Sequence, residues 1–245
     1  MKIAATQIDV SVGKIEKNII AHIKAIKEAV KEKVDLITFP EMSITGYCRE
    51  EGKRLAFIKK DKRLNSLRKL SKENNIIIVV GAPILLDDML YIGSFILKPK
   101  GDEEIYTKQY LHSGEEMYYK SSFLYNPKVT IVNEQLSFAI CADIDNVEHP
   151  KQAKLDKSTV YVPSIFFSKE GIDKGYSSLK RYSEKYMLPI LMSNFCGEHW
   201  GVKAGGKSAF WNEKGKKIVA LDSEKEGLII VEKDSVNWKV KSIMF

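Results

Sequence analysis

Apolar residues along the chain change their period several times, and each change marks an element. Lys2 to Ile8 reads as a first strand. From about Lys14 to Lys33, Ile15, Ile19, Ile23, Ile26 and Val30 recur at three-to-four spacing, which predicts a helix with one buried face. The run Val34-Asp35-Leu36-Ile37-Thr38-Phe39-Pro40-Glu41 is β-prone and is stopped by proline, leaving Glu41 just past the carboxyl end of a strand. A polar helix over about 62–73 precedes Ile76-Ile77-Ile78-Val79-Val80-Gly81, apolar enough for a strand covered on both faces. Met89 to Lys108 has the period of a hairpin turned at Pro99-Lys100-Gly101-Asp102. Lys108 to Tyr119 has no clear period and reads as a loop.

The second half repeats the alternation. Strands are predicted at about 129–132 and 136–141, a helix near 149–157, a strand at 159–163, a helix over about 172–187 and a strand at 189–194. The segment Gly205 to Trp211 and strand-like runs at 216–221 and 227–232 follow. The tail from Val236 to Phe245 carries apolar residues suited to packing on a neighbouring copy or on its own domain. With no linker, repeat or low-complexity stretch, residues 1–245 are expected to form a single domain. Strand–helix–strand alternation with hairpins between and after implies mixed sheets covered by helices on their outer faces. Ligand sites in such folds lie at the carboxyl ends of strands, where Glu41, Cys141 and Asn194 all stand.

Composition narrows the classes. The chain has 245 residues, 44% of them hydrophobic, enough for a large core. Its net charge is +7, but lysines are interleaved with acids, as in Lys59-Lys60-Asp61-Lys62-Arg63, and form no basic stripe. No nucleic-acid partner is therefore expected. No apolar stretch approaches the ~20 residues needed to span a bilayer, and the start reads as a strand instead of a leader, so no membrane partner is expected. Cys48, Cys141 and Cys196 are far apart and odd in number, which argues against a disulfide framework and against a cysteine-built zinc site. A reduced, cytoplasmic protein is the simplest expectation.

The candidate chemistry centres on Leu136-Ser137-Phe138-Ala139-Ile140-Cys141-Ala142-Asp143. An apolar run stops at a cysteine, and Ala-Asp-Ile-Asp-Asn then suits the opening of a turn or helix. A thiol at a strand end followed by unpaired backbone N–H groups is what a covalent nucleophile needs, although a core cysteine fits this stretch alone as well or better. Histidine is the usual base, yet His22 falls within the first helix, His149 adjoins Pro150, His199 and His112 fall in loops, and none pairs with the cysteine by spacing. No Gly-x-Ser-x-Gly elbow, Walker loop or Gly-x-Gly-x-x-Gly follows a strand, and Gly205-Gly206-Lys207-Ser208 reads as a turn into a strand. A carboxylate in a dry pocket can replace histidine as base, and an ammonium can hold an oxyanion; Glu41 and Lys108 suit those roles. Cys48 and Cys196 are expected to be structural.

Three segments resemble the signatures of the nitrilase (carbon–nitrogen hydrolase) superfamily, in the right order and separation: Phe39-Pro40-Glu41-Met42 with Thr45-Gly46-Tyr47, Tyr106-Thr107-Lys108-Gln109-Tyr110-Leu111, and Ile140-Cys141-Ala142-Asp143. Ala4-Thr6-Gln7, Ser193-Asn194 and the Gly206-to-Gly215 segment are similar to the family as well, so the resemblance spans nearly the whole chain. It implies a four-layer αββα sandwich with mixed sheets and a Glu–Lys–Cys triad at Glu41, Lys108 and Cys141. It implies a further glutamate after the lysine, Glu115 by its spacing to the tyrosine pair, with Glu116 the alternative. Ala142 stands where the family usually has tyrosine, but its backbone N–H can still serve as oxyanion donor. Asp145-Asn146-Val147-Glu148-His149-Pro150 replaces the usual Phe-Pro-Glu stretch, so the substrate preferences of better-known amidase branches do not carry over.

The activity implied is hydrolysis of a small non-peptide amide through a cysteine thioester, with an N-carbamoyl hydrolase or nitrilase as alternatives and a low-turnover regulatory member more remote. Tyr47, Tyr118, Phe166 and Asn194 are expected near the substrate. Acid–base and acyl chemistry alone requires no metal or organic cofactor. The partner implied is a small amide, carbamoyl or nitrile compound, and the assembly implied is a homodimer or larger.

Overall fold

The computed structural model describes residues 1–235 and 237–245, and Val236 of the apolar tail lies outside them. The first half runs through β1 (Lys2–Gln7), α1 (Ile15–Lys31), β2 (Leu36–Thr38), α2 (Gly52–Leu55), α3 (Asn65–Asn74), β3 (Ile77–Leu86), β4 (Met89–Leu97) and β5 (Glu103–Thr107). After a long loop come β6 (Val129–Ile131), β7 (Glu134–Ile140), α4 (Glu148–Leu155), β8 (Val160–Ser164), α5 (Ile172–Tyr186) and β9 (Ile190–Met192). A short ribbon of β10 (Glu198–His199) and β11 (Val202–Lys203) leads to β12 (Ala209–Trp211), β13 (Lys217–Ala220), β14 (Gly227–Asp234) and β15 (Asn237–Met244).

Two mixed sheets result. One has the order β15-β14-β1-β2-β3-β4-β5 and the other β13-β12-β9-β8-β7-β6. Among the described strands, β1-β2-β3 and β7-β8-β9 pair in parallel, one trio at the heart of each sheet. Alternation along the strands sorts the side chains. Ile3, Ala5, Leu36 and Val79 of the first sheet meet Phe138, Val160, Val162 and Phe210 of the second. On the opposite face, Ala4, Ile37, Ile78 and Val80 pack on Ile19, Ala25, Ile26 and Ala29 of α1. Ala139, Tyr161 and Ile190 on the outer face of the second sheet pack on Ala153 of α4 and on Leu179 and Tyr182 of α5. The layers are therefore α–β–β–α, as the resemblance implied.

The sheets meet at one end. Thr38 closes β2 and Ser164 closes β8, and their hydroxyls are 3.3 Å apart, so carboxyl ends from both parallel trios converge.

Several boundaries differ from the sequence reading for physical reasons. The predicted strand at 34–41 has only three ladder residues, because the chain turns at Pro40 to Ser43. β3 runs on to Leu86, since β4 keeps pairing with it from Ile78↔Leu97 to Leu86↔Met89. The C-terminal tail forms β15, antiparallel to β14, with the Trp238 ring 4.9 Å from Phe210. Its apolar residues thus pack on their own domain, Trp238 and Val240 in the layer between the sheets and Ile243 and Phe245 on the α1 side. No helix is long and apolar enough to cross a membrane among the described residues.

Candidate active site

Each of the three charged or nucleophilic groups sits just beyond a strand. Glu41 follows β2 in a tight turn in which Ser43 N–H donates to the Pro40 carbonyl and Met42 takes φ +51°. That turn lies directly on β3, where Gly81 leaves room: a Cβ there would come within 2.4 Å of the Met42 nitrogen. His22 supports it from outside, its ring stacked on Phe39 at 4.2 Å and bonded to the Asn18 carbonyl and to the Ser43 hydroxyl at 2.9 Å. Burial lowers its pKa to about 4, so this histidine is a neutral strut, not a base.

Lys108 follows β5 and is fully buried. Its ammonium donates to Glu41 Oε1 at 2.8 Å and to both carboxylate oxygens of Glu115, at 2.9 and 2.8 Å. Glu115 arrives through Gly114, whose φ of +87° a side chain would strain. It also accepts from the Tyr47 hydroxyl at 2.7 Å and from the His112 N–H at 2.8 Å. Glu116, the alternative, is exposed.

Cys141 directly follows β7 and opens a 3₁₀ turn over Cys141–Asp145 with φ +40°. A non-glycine residue in this region costs of order 1–3 kcal/mol and is held by its surroundings. The holder is Asp143, fully buried. Its Oδ2 accepts from Ile140 N–H at 2.8 Å and the Tyr106 hydroxyl at 2.7 Å. Its Oδ1 accepts from Gln109 N–H at 2.9 Å and Tyr110 N–H at 2.8 Å. One carboxylate thus ties the cysteine turn to the segment directly after Lys108. The network continues from Tyr106 to His149 at 2.8 Å and from His149 to Tyr161 at 2.7 Å.

The protonation pattern is asymmetric. Burial pushes Glu41 up to about 7, an effect the Lys108 charge only partly offsets. Burial acts on Glu115 as well, yet the charge of Lys108 and the hydrogen bonds it accepts hold it below the usual carboxylate range. Desolvation would lower Lys108, but the charges of Glu41, Cys141 and Glu115 keep it well above an ordinary lysine. Burial and the neighbouring Glu41 raise the Cys141 thiol well above its ordinary value. Two carboxylates flanking one ammonium are therefore driven apart, one toward proton exchange near neutral pH and one toward the charged form. Glu41 Oε2 is buried with no geometric hydrogen-bond partner among the described residues. The Cys141 thiol lies within reach of the same carboxylate.

Glu41, Glu115 and Cys141 line the floor of a cavity of about 340 Å³ walled by Tyr47, Phe166, Phe167 and Trp200, with Lys108 buried behind the two carboxylates. The Cys141 thiol lies 3.8 Å from the Phe166 carbonyl. Of the four expected substrate neighbours, Tyr47 and Phe166 line this cavity. Tyr118 does not, because its side chain turns outward and is 38% exposed. Asn194 does not either. It is buried behind the wall, where Oδ1 accepts from Phe167 N–H at 2.9 Å and Nδ2 donates to the Gly206 carbonyl at 2.8 Å. Ala142, the expected oxyanion donor, occupies the second position of the Cys141 turn. Missed from the sequence were Asp143, Arg49, Lys174 and Trp200. Only Asp143 left a trace, as a charge between apolar Ala142 and Ile144 at a strand end.

Cys48 and Cys196 are buried and unpaired. Burial raises both, Cys196 to about 12, and neither lines the cavity that holds Cys141.

An αββα sandwich with such a cluster at its meeting strand ends defines a class of hydrolytic enzyme. The chain belongs to the carbon–nitrogen hydrolase family, which it matches over residues 2–240. It is 25% identical over 249 residues to a glutamine-dependent NAD(+) synthetase of Acinetobacter baylyi, covering 99% of this chain and 46% of that protein. It is 28% identical over 131 residues to a nitrilase of Pyrococcus abyssi, covering 52% of this chain and 48% of that protein. The chain thus spans about half the length of the curated relatives it matches. An amidase from Nesterenkonia sp. AN1 has the same fold, with a TM-score of 0.85, 19% identity, and 96% of this chain and 93% of that one covered.

Proposed function

We propose that the protein hydrolyses small non-peptide amides through a thioester on Cys141, with Glu41 as acid–base and Lys108 as electrostatic partner. The observation that carries this reading is the buried Glu41–Lys108–Glu115 cluster, with the Cys141 thiol within reach of the Glu41 carboxylate at the cavity floor. Glu41 Oε2 takes the thiol proton as sulfur bonds to the carbonyl carbon. The Lys108 ammonium and the Ala142 N–H hold the oxyanion, and loss of one such donor typically costs ~2.7–4 kcal/mol of barrier. When the tetrahedral adduct collapses, Glu41 returns its proton to the departing nitrogen and ammonia or an amine leaves. Water then gives a proton to Glu41, attacks the thioester and frees the acid, and the proton goes back to sulfur. Glu115 holds Lys108 in place and charged throughout, the orienting role of a third group.

The reported behaviour of the Nesterenkonia amidase supports the amide reading. Mutants of it have been described with butyramide bound, and with acrylamide or the acetamide moiety of fluoroacetamide added to the active-site cysteine. N-carbamoyl compounds and nitriles present an electrophilic carbon of the same kind and form the second substrate reading, favoured by the likeness to a nitrilase. Ammonia release from amides, nitriles and carbamoyl compounds, measured side by side with the wild type and Cys141→Ala, separates the readings. A Cys141→Ala protein that turned over a confirmed substrate at the wild-type rate would refute the mechanism.

A further inference from the structure

Two carboxylates face one ammonium at the base of the site, so Lys108 alone does not balance Glu41 and Glu115. A second cation reaches the same cluster through one hydroxyl. Arg49 Nε donates to the Tyr47 hydroxyl at 2.8 Å, and that hydroxyl donates to Glu115 Oε1 at 2.7 Å. The direction is fixed, because a guanidinium has no acceptor and the phenol proton must go on to the carboxylate. The same Glu115 oxygen accepts from Lys108 at 2.9 Å. Arg49 also grips the loop that carries Glu115. Its Nη1 donates to the Ser113 carbonyl at 3.1 Å, and a Cβ on Gly114 would stand 2.7 Å from that nitrogen. Its guanidinium lies 4.7 Å from the centre of the Trp200 ring, whose Nε1 donates to Glu50 at 3.3 Å.

We propose that Arg49 is a positioning residue for the acid–base step. Through Tyr47 it acts as the second cation of the cluster and fixes the Glu115 carboxylate, so that Lys108 stays shared with Glu41. This rests on the reading of Glu41 as the base and adds what keeps that base in its working range. Burial pushes Glu115 up, but the Lys108 charge and the hydrogen bonds from Lys108, His112 and Tyr47 more than offset it. Facing Glu115 besides Arg49 are Glu41 after β2, Tyr47 beyond it, Lys108 after β5, His112 and Tyr119 on its own loop, and Cys141 after β7. Without Arg49 the Tyr47 hydroxyl is no longer held, and Glu115 draws harder on Lys108. Glu41 then meets a neighbouring negative charge with less compensation, and its proton is held to higher pH.

The rate of Cys141 alkylation by iodoacetamide, followed against pH, tests this without a substrate. In the wild type the rise should centre near 7, where burial places Glu41. Arg49→Met should move it up by about half a pH unit or more, slowing alkylation at pH 6 about threefold. Arg49→Lys keeps the charge and should bring the rise most of the way back. Tyr47→Phe breaks the link while filling the same space, so it should shift the rise upward too, and it decides the matter should Arg49→Met fail to fold. In a Glu115→Gln background, Arg49→Met should shift the rise less than half as far, since the group it acts through is then neutral. A merely structural Arg49 would lower Tm and leave the rise in place. A rise unmoved in Arg49→Met and Tyr47→Phe therefore overturns the proposal, as does an equal shift in Arg49→Lys or an undiminished one beside Glu115→Gln. A wild type with no rise near 7 is a separate result, which overturns Glu41 as the base.

Discussion

Alkylation of Cys141 by iodoacetamide, followed against pH, reads the proton arrangement of the site without needing the natural substrate. The Cys141 thiol is raised well above its ordinary value by burial and by Glu41, so by itself it would react appreciably only in strongly alkaline solution. Glu41, pushed to about 7, changes this: once charged, its Oε2 can accept the thiol proton during attack. The sign follows directly. The base form exists above the Glu41 pKa, so the alkylation rate rises with pH through about 7. Its charged fraction grows roughly tenfold between one unit below and one unit above that value, and the rate should follow. The assay is the rate of mass gain on Cys141 in intact protein from pH 5 to 9, with Cys48 and Cys196 as buried internal controls. Glu41→Gln should remove the limb near 7 and leave only alkaline reactivity. A wild-type rise centred at pH 9 or above, or an unchanged limb in Glu41→Gln, would refute the assignment of Glu41 as base.

Other consequences concern the frame around these groups. Asp143→Ala leaves three backbone N–H groups and the Tyr106 hydroxyl without their buried acceptor. At ~1–3 kcal/mol for each unsatisfied donor, partly relieved by relaxation, the loss should be at least ~3 kcal/mol, read as a drop in Tm of roughly 6–12 °C in thermal unfolding. Lys108→Met places two carboxylates together without their cation. Both Glu41 and Glu115 then have folded pKa values above their unfolded ones, so stability should fall as pH rises above the unfolded carboxylate range, and urea unfolding at pH 5 and 8 should show the decline. Wild-type protein should show less of it, because Lys108 holds Glu115 down. Gly81→Ala drives a Cβ to within 2.4 Å of the Met42 nitrogen, so the turn carrying Glu41 must move. Stability should fall by about 1–3 kcal/mol, and Cys141 alkylation at pH 8 should slow far more than it does for a substitution of similar cost on α3. Asn194→Ala should weaken substrate binding only through the wall it braces, visible as a raised KM with a lowered Tm.

Much of the fold could be read along the chain because it depends on local periodicity. The spacing of Ile15, Ile19, Ile23 and Ile26 yields α1, and the uninterrupted run at Ile76–Gly81 yields the buried β3, since helical and extended backbones each bury one fixed set of positions. Glu41 and Cys141 stand just past strand ends for the same reason, each following an apolar run that stops, and Lys108 follows the second arm of the hairpin. Short elements such as α2 and the β10–β11 ribbon lack enough residues to show a period. The tail's role as β15 depended on an open edge of β14, which no local signal announces.

The sequence by itself therefore determined the order of elements, the layer class and three residues separated by long stretches of chain. Only the tertiary structure decided what those residues experience. It aims Glu115, not Glu116, at Lys108, since the turn opened by Gly114 buries one and exposes the other. It sends Tyr118 outward and Asn194 behind the wall, and it brings Arg49 and Lys174 to the rim. Above all it separates Glu41 from Glu115 in protonation, because desolvation and hydrogen bonding are properties of the assembled surroundings and not of the residue type.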